Sequence, residues 1–129
     1  MAEAAERDRQ RVTEADRVKV SLRGGGGFGQ DATQEMNSIY VVVENHSRYD
    51  AVIKSISLDS RLKPIVPLPA SFTVAAAGDP FKQVIDIEPV PGRAEELSGK
   101  PLDRFTVSMT YLLDGIDWKR SSTADPELD

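Results

Sequence analysis

The sequence predicts an all-β fold, an antiparallel β-sandwich of about seven strands that follows a short charged helix. Residues 105–113 alternate between apolar and polar side chains, which is the period of a half-buried strand. Further short strand-like segments recur along the chain, with glycine- and proline-containing turns between them. The crossover helices that a parallel sheet needs are missing from this pattern. The length of 129 residues suits one domain.

The chain divides into three parts. Residues 1–16 are rich in strong helix formers but poor in apolar residues, which predicts a charged helix or linker. Two interpretations remain open: a solvated helix that leads into the domain, or a stalk from an upstream anchor or partner domain. Residues 17–121 are predicted to form the β-sandwich domain. Residues 122–129 are short and polar, which predicts a disordered tail.

The first half of the sandwich is predicted to hold three strands. Alternation begins at Val18, and the glycine-rich stretch 24–37 that follows predicts a flexible, poorly ordered connection. Residues 38–44 are apolar on both faces, which is typical of a central strand. In the strand 52–59, Val52, Ile56 and Leu58 share the predicted inner face, and Lys54 interrupts it.

The second half begins with a proline-rich segment, 64–69, which favours a sheet edge or a crossing between sheets. Strands are predicted at 71–77 and 82–89, and one helical turn at 94–97. A β-hairpin is predicted at 103–121, with a two-residue Asp-Gly turn at residues 114 and 115. This loop length pairs Tyr111 with Trp118 on the core face.

Composition excludes several classes of protein. The chain has no cysteine, so disulfides and thiolate metal sites are excluded, and its net charge of −5 disfavours a broad nucleic-acid interface. No apolar run is long enough to span a bilayer, and the N-terminus has no apolar segment typical of a secretory signal. We therefore expect no membrane insertion by this chain, with an upstream anchor as an open alternative, and we favour a cytoplasmic location.

Motifs that carry chemistry are weak. Gly24, Gly26 and Gly29 fit a dinucleotide-binding spacing, but no helix is predicted after them. His46 is the only histidine and lies in a polar loop, where it also forms part of the glycosylation sequon Asn45-His46-Ser47. Asp114 and Asp117 lie close in sequence, without the spacing of a calcium loop. We expect no catalytic, cofactor-binding or metal-binding residues, no cofactor and no enzymatic activity.

Two local patterns are shared with a known group of domains. One is an apolar strand that ends in residues 43–47, Val-Glu-Asn-His-Ser, followed by Val52-Ile53. The other is a strand that begins at Phe105, turns at Asp114-Gly115 and continues as Trp-Lys-Arg at 118–120. Together they resemble immunoglobulin-like β-sandwich domains of uncharacterised bacterial proteins. The resemblance implies a fold and assigns no functional residue.

These observations favour a non-catalytic interaction or assembly module that binds a protein partner, which includes a second copy of the chain. The predicted binding surfaces are an exposed edge strand or the loops 45–50 and 78–81. One alternative is a carbohydrate- or small-molecule-binding module that uses exposed aromatics such as Tyr40, Tyr49 and Phe28. Others are an oligomeric structural subunit of a virion or secretion apparatus, and an enzyme whose scattered carboxylates converge in one cleft.

Overall fold

The computed structural model describes residues 2–28, 35–92 and 100–129, with the backbone alone for residues 2–8 and Phe28. In that part of the chain, one helix accompanies two antiparallel sheets, so the predicted all-β class is confirmed. The elements are α1 (Ala2–Asp16), β1 (Val18–Gly24), β2 (Gly27–Phe28), β3 (Glu35–Asn45), β4 (Ala51–Leu58), β5 (Phe72–Val74), β6 (Phe81–Pro91), β7 (Val107–Leu113), β8 (Ile116–Ser121) and β9 (Glu127–Leu128).

The first sheet is organised around β3. This strand pairs with β1 and β2 along one edge and with β6 along the other, always antiparallel. The sequence prediction of a central strand here is therefore confirmed. Apolar side chains are buried on both of its faces, as Val41 and Val43 are fully buried and Val42 between them is 5% exposed.

The described part of the glycine-rich stretch, residues 24–28 and 35–37, is more ordered than the sequence predicts. Gly24 ends β1, β2 begins at Gly27, and both strands lie against β3. A Cβ atom on Gly25 would lie 2.5 Å from Ser38 Oγ, so only glycine allows this close approach. The amide of Gly26 donates to the same hydroxyl oxygen at 2.6 Å. These glycines thus serve backbone packing, while Gly29 lies outside the described residues.

The second sheet has the order β5-β4-β7-β8-β9. Its central hairpin has the predicted register, in which Tyr111 lies opposite Trp118 and both side chains are buried. Asp114 and Gly115 have φ angles of 49° and 77°, the left-handed conformation that a two-residue turn between twisted strands requires. The hairpin prediction is confirmed in both its turn and its buried face.

Strand β4 differs from the prediction on one point. Its pairing with β7 shifts between Ile53 and Ser55, so the residue between them forms a β-bulge. The bulge changes which residues face inward: Ile53 is fully buried and Val52 is only partly buried. Lys54 interrupts the sequence pattern because it occupies the bulge.

The inner faces of both sheets contribute to one hydrophobic cluster. Phe72 of β5 and Phe81 of β6 stack with ring centroids 4.0 Å apart, which joins an edge of one sheet to an edge of the other. The proline-rich segment lies at a sheet edge, since Pro64 bridges to Ile87 of β6.

Two further expectations concern the C-terminal tail and the connection between β6 and β7. The tail 122–129, expected to be disordered, instead contains β9, in which Leu128 pairs with Trp118 and Glu127 with Lys119. The helical turn expected at 94–97 lies outside the described residues.

Candidate functional site

The end of α1 is attached to the second sheet by side chains of β7 and β8. Tyr111 Oη donates to the carbonyl oxygen of Ala15 at 2.8 Å. Arg120 Nη1 donates to the carbonyl oxygens of Asp16 at 3.1 Å and Val18 at 3.0 Å. The last carbonyl groups of a helix have no partner within the helix, so these donors satisfy groups that would otherwise need water. The helix is therefore fixed at its C-terminal end.

Glu14 attaches the same helix to the loop that follows β3. Its carboxylate is 6% exposed and accepts from the backbone amide and the Nε of Arg48, both at 2.9 Å. Arg17 Nη1 lies 3.5 Å from the same carboxylate. Burial alone would raise the pKa of Glu14, but the hydrogen bonds from Arg48 and the positive charges of Arg48 and Arg17 outweigh it, and the pKa lies below its usual value.

The loop itself is held by Asn45. Asn45 is 2% exposed, and its Nδ2 donates to the carbonyl oxygens of Tyr49 at 2.8 Å and Val74 at 2.9 Å. Its Oδ1 accepts from the amide and the hydroxyl of Ser47 at 3.0 and 2.6 Å. The residues of the glycosylation sequon thus build a tight turn, in which the amide that would carry a glycan is already used.

Two loops were predicted as candidate binding surfaces, 45–50 and 78–81. Residues 76 and 77, just before the second loop, contact the first loop, so both loops lie at the same end of the molecule. The amide of Ala77 donates to the carbonyl oxygen of Asn45 at 3.2 Å, and the amide of Ala76 donates to Asp50 Oδ1 at 2.9 Å. These contacts hold the two connections next to each other.

A cavity of about 200 Å³ opens where α1, the loop 45–50 and the tip of the β7–β8 hairpin meet. We call it the helix cleft. Its floor is apolar and its rim is charged, because the hairpin contributes apolar side chains while the helix and the loop contribute polar ones. Among the described residues, the lining consists of Gln10, Arg11 and Glu14 of α1, Arg48 and Tyr49 of the loop, and Leu113, Asp114, Ile116 and Trp118 of the hairpin.

A second, shallower cavity of about 380 Å³ continues from the helix cleft along α1. The two share Gln10, Glu14 and Arg48, so we treat the second cavity as the outer part of the same cleft. It adds Arg9, Thr13 and Arg17 to the lining.

In the described residues, the edges of the two sheets are covered in part. Along β1, the amide of Gly24 donates to the carbonyl of Lys100 and the amide of Leu102 donates to the carbonyl of Leu22, both at 3.0 Å. Along β6, the proline-rich segment is paired as described above. In the second sheet, β5 has three residues and β9 has two. Covered or very short edges offer little backbone to an added strand.

The aromatic residues expected to form a carbohydrate platform are separated. Tyr40 lies in the middle of β3 with Lys82 Nζ 4.5 Å above its ring. Tyr49 lies beyond the end of β3, where its carbonyl is bound by Asn45. Five residues of strand, about 17 Å, separate Tyr40 from Asn45. The side chain of Phe28 lies outside the described part of the structure.

His46 and Asp117, two other candidate residues in the sequence, have local partners. His46 Nε2 lies 2.8 Å from Glu44 Oε2 in an exposed pair. Lys54 Nζ donates to Asp117 Oδ1 at 3.0 Å, and Asp114 lies in the hairpin turn. Among residues 2–28, 35–92 and 100–129, no three histidine or acidic side chains are grouped to hold a metal ion.

None of the helices in the described residues is both long enough and apolar enough to cross a membrane.

The helix cleft was not found from the sequence. The apolar stripe of α1 is sparse, and Val12, part of that stripe, is 48% exposed. The helix is docked by Glu14, whose partner Arg48 lies 34 residues further along the chain. The only local indication in the sequence was the acidic residue Glu14 directly before Ala15, and an acidic residue alone does not identify its partner. Trp118, considered in the sequence as a core residue or a ligand platform, is 4% exposed and also lines the cleft floor.

Comparison with known proteins gives no relative for this chain. No protein-family model matches it, nor does any curated protein or solved structure. Function is therefore inferred from the geometry of the chain itself.

Proposed function

We propose that this chain is an immunoglobulin-like β-sandwich domain that serves as a non-catalytic interaction module and binds a protein partner in the helix cleft. The immunoglobulin-like assignment is supported by two antiparallel sheets that share one core and by the hairpin register. The observation that carries the functional proposal is the cleft itself: a concave site with an apolar floor around Trp118 and a charged rim.

The rigidity of the cleft walls supports binding of a protein partner there. Its walls come from three separate parts of the chain, and each part is fixed: α1 by Tyr111 and Arg120, the loop by Asn45, and the hairpin by its own ladder. A preorganised surface loses less conformational entropy when it binds, so more of the contact energy appears as affinity. This fixed concave surface at one end of the molecule is therefore the site we propose for the partner.

Two carboxylates, those of Glu14 and Asp59, are held as anions by hydrogen bonds, which supports a structural role for them over a catalytic one. Glu14 is held by Arg48 and Arg17. Asp59 accepts from the side chain and backbone of Arg61 and from the amide of Thr106. These hydrogen bonds, those of Arg61 first, hold the pKa of Asp59 well below its usual range. A carboxylate stabilised as an anion in this way is a poor proton acceptor at neutral pH.

Selection from a random peptide library displayed on phage tests the proposal. We expect enriched peptides that bind the wild-type protein and lose binding to Gln10→Phe, because Gln10 lines both parts of the cleft and a phenyl ring there would obstruct it. Gln83→Phe, at an exposed glutamine of β6, is the matched control and should retain binding.

Two results would overturn the proposal. One is the absence of enriched peptides, or enrichment of peptides that bind both variants as well as the wild type. The other is turnover of a substrate in a broad panel of esters, glycosides and phosphates by the purified protein.

A further inference from the structure

We propose that two copies of this chain associate edge to edge through the first half of β6, so that their first sheets form one continuous antiparallel sheet. The inference goes beyond the proposed function and does not depend on it, since no residue of β6 lines the helix cleft in the described part of the chain. It follows from unpaired backbone groups of β6, from the exposed side chains beside them, and from the charge order along this edge.

The unpaired backbone groups belong to Lys82 and Val84. Successive residues of a strand direct their amide and carbonyl groups to opposite sides. The carbonyl of Asp86 accepts from the amide of Ile65 at 3.0 Å, on the side away from β3, and the register of β6 with β3 is regular from 81 to 86. Lys82 and Val84 therefore point away from β3 as well. Within the described residues, their amides and carbonyls have no hydrogen-bond partner on this side.

The proline-rich segment 64–69 pairs with only the second half of this edge. Its last hydrogen bond to β6 is that of Ile65 with Asp86, and the chain bends at Ile65 and Val66. Residues 82–84 are all exposed. The first half of the edge is therefore open to an added strand, which binds through its main-chain hydrogen bonds.

Exposed apolar side chains border the open edge. Val84 is 48% exposed, and Ile65 and Val66, in the segment paired with the same strand, are 63% and 40% exposed. Lysine on an edge strand often discourages pairing. Here Lys82 Nζ lies 4.5 Å from the ring centroid of Tyr40, over its own sheet, so it leaves the backbone of the edge uncovered.

The charge order along the edge favours a second copy as the occupant. On the outer face of β6, Lys82, Val84 and Asp86 are positive, apolar and negative in turn. A second copy that pairs antiparallel reverses this order, so Lys82 of each copy lies near Asp86 of the other. The carboxylate of Asp86 has no partner among the described residues and can accept one. The flexible stem of Lys82 lets its ammonium group move from Tyr40 to that carboxylate.

The register follows from which backbone groups are free. Asp86 already accepts from Ile65, so the added strand uses only Lys82 and Val84. Lys82 of one copy then lies opposite Val84 of the other, about a twofold axis at Gln83, with about four hydrogen bonds between the copies. Lys82 and Asp86 of the other copy are diagonal neighbours, within reach of a long side chain. The contact is small, so we expect a reversible dimer of micromolar or weaker affinity.

Sedimentation velocity of the wild-type protein measures the association directly. We expect the mean mass to rise from monomer towards dimer as the concentration increases to about 1 mM. The amides of Lys82 and Val84 should become more protected from hydrogen exchange over the same range. A chain that stays monomeric throughout overturns the proposal.

Val84→Pro tests the backbone contact. Proline removes an amide that has no partner within the fold, and it is tolerated on such an edge, so the sheet should be kept. We expect the variant to stay monomeric where the wild type associates. Val84→Thr, which keeps the amide and nearly the same shape, should still associate. Circular dichroism and the thermal midpoint show whether each variant is folded, and a dimer that persists in folded Val84→Pro contradicts the proposal.

Charge reversal tests the second copy as the occupant. Lys82→Asp gives an edge with two negative charges and Asp86→Lys one with two positive charges. Each variant alone should therefore associate about ten-fold more weakly or less, and a mixture of the two should associate again. Lys119→Asp and Asp125→Lys make the same changes in net charge at exposed positions outside β6, and each should associate like the wild type.

The mixture keeps the test independent of whether one variant folds poorly, because only opposite edges restore association. Reversed variants that associate as well as the wild type, or a mixture without restored association, overturn the proposal. Peptide binding in the helix cleft is measured separately, so failure of one proposal leaves the other standing.

Discussion

Tyr111 Oη lies 2.8 Å from the carbonyl oxygen of Ala15, although 96 residues separate them in the chain. Both residues are fully buried. This hydrogen bond, with those from Arg120, makes the N-terminal helix part of the domain and so builds one wall of the helix cleft. The geometry excludes a free stalk for the last turn of α1, which was one of the two interpretations left open by the sequence.

Tyr111→Phe should destabilise the protein by about 1–2 kcal/mol, because the carbonyl of Ala15 would lose its donor in a buried position. The ring would still fill its place in the core, so the fold should be kept. Urea unfolding followed by circular dichroism measures the difference. Tyr40→Phe, at a half-buried tyrosine of β3, is the control and should change stability much less. Equal losses in the two variants would contradict the role assigned to the Ala15 contact.

Alkaline pH should weaken the same contact. Burial raises the pKa of Tyr111 to about 12, from an ordinary value of 10. The folded state therefore favours the protonated phenol, which stabilises the protein fully below pH 10 and is lost as the pH rises to about 12. The contribution amounts to about 2–3 kcal/mol, from two pKa units. Unfolding of the wild type and of Tyr111→Phe at increasing pH tests this: the wild type should lose its advantage over the variant in that range.

Acid should weaken the attachment of α1 to the loop 45–50. The pKa of Glu14 lies below its ordinary value of 4.5, so its contribution to stability is present above pH 4.5 and is lost as the pH falls through the lower, folded-state value. Glu14→Gln should cost about 1–3 kcal/mol at neutral pH, since it removes charge-assisted hydrogen bonds from a nearly buried site. The gap between wild type and variant should narrow in acid. Glu88→Gln, at an exposed residue, should show neither effect.

The hairpin turn depends on the conformation of Gly115. Its φ angle is 77°, and a Cβ atom there would meet nothing within 4 Å, so the cost of a side chain is conformational only. Gly115→Ala should reduce the free energy of unfolding by about 1–2 kcal/mol. Gly115→Asn should cost less, because asparagine adopts the left-handed region more readily. Chemical denaturation of the pair provides the comparison, and equal costs would argue against a purely conformational origin.

Asn45→Asp should destabilise the loop 45–50 strongly. The substitution keeps the shape of the side chain but replaces the two donated hydrogen bonds, to Tyr49 and Val74, with an oxygen that faces two carbonyls. We expect a loss of about 2–3 kcal/mol. The same substitution at the half-buried Asn37 is the control. Hydrogen exchange of the Ser47 and Tyr49 amides should accelerate in the first variant alone.

The accuracy of the sequence predictions depends on how local each signal is. The Tyr111–Trp118 pairing was predictable because a two-residue turn fixes the register of its strands. The inner face of β4 was predicted correctly at Ile56 and Leu58 but wrongly at Val52, since a bulge at Lys54 reverses the alternation before it and a bulge depends on the partner strand. The strand in the tail was missed for a similar reason: Leu128 is ordered by pairing with Trp118.

The helix cleft could not be predicted from the sequence, because it too depends on a contact between distant residues. Its position depends on the contact of Glu14 with Arg48, and both residues look like ordinary surface charges in the sequence. A charged side chain that is buried by a distant partner leaves no periodic pattern. The glycine run was predicted to be flexible, but Gly25 is ordered. Glycine is required at this position because Ser38 approaches its backbone too closely for a side chain.

The contacts that fix the end of α1 also set an order of events during synthesis. The carbonyls of Ala15, Asp16 and Val18 reach the ribosome exit long before their donors on Tyr111 and Arg120. Contacts between residues so far apart in the chain also form slowly, since a long loop must close first. The contacts of Tyr111 and Arg120 with the end of α1 therefore form only after β7 and β8 are made, although Arg48, the partner of Glu14, is made much earlier. A nascent chain that stalls before β7 lacks the hairpin side chains that form the floor of the helix cleft.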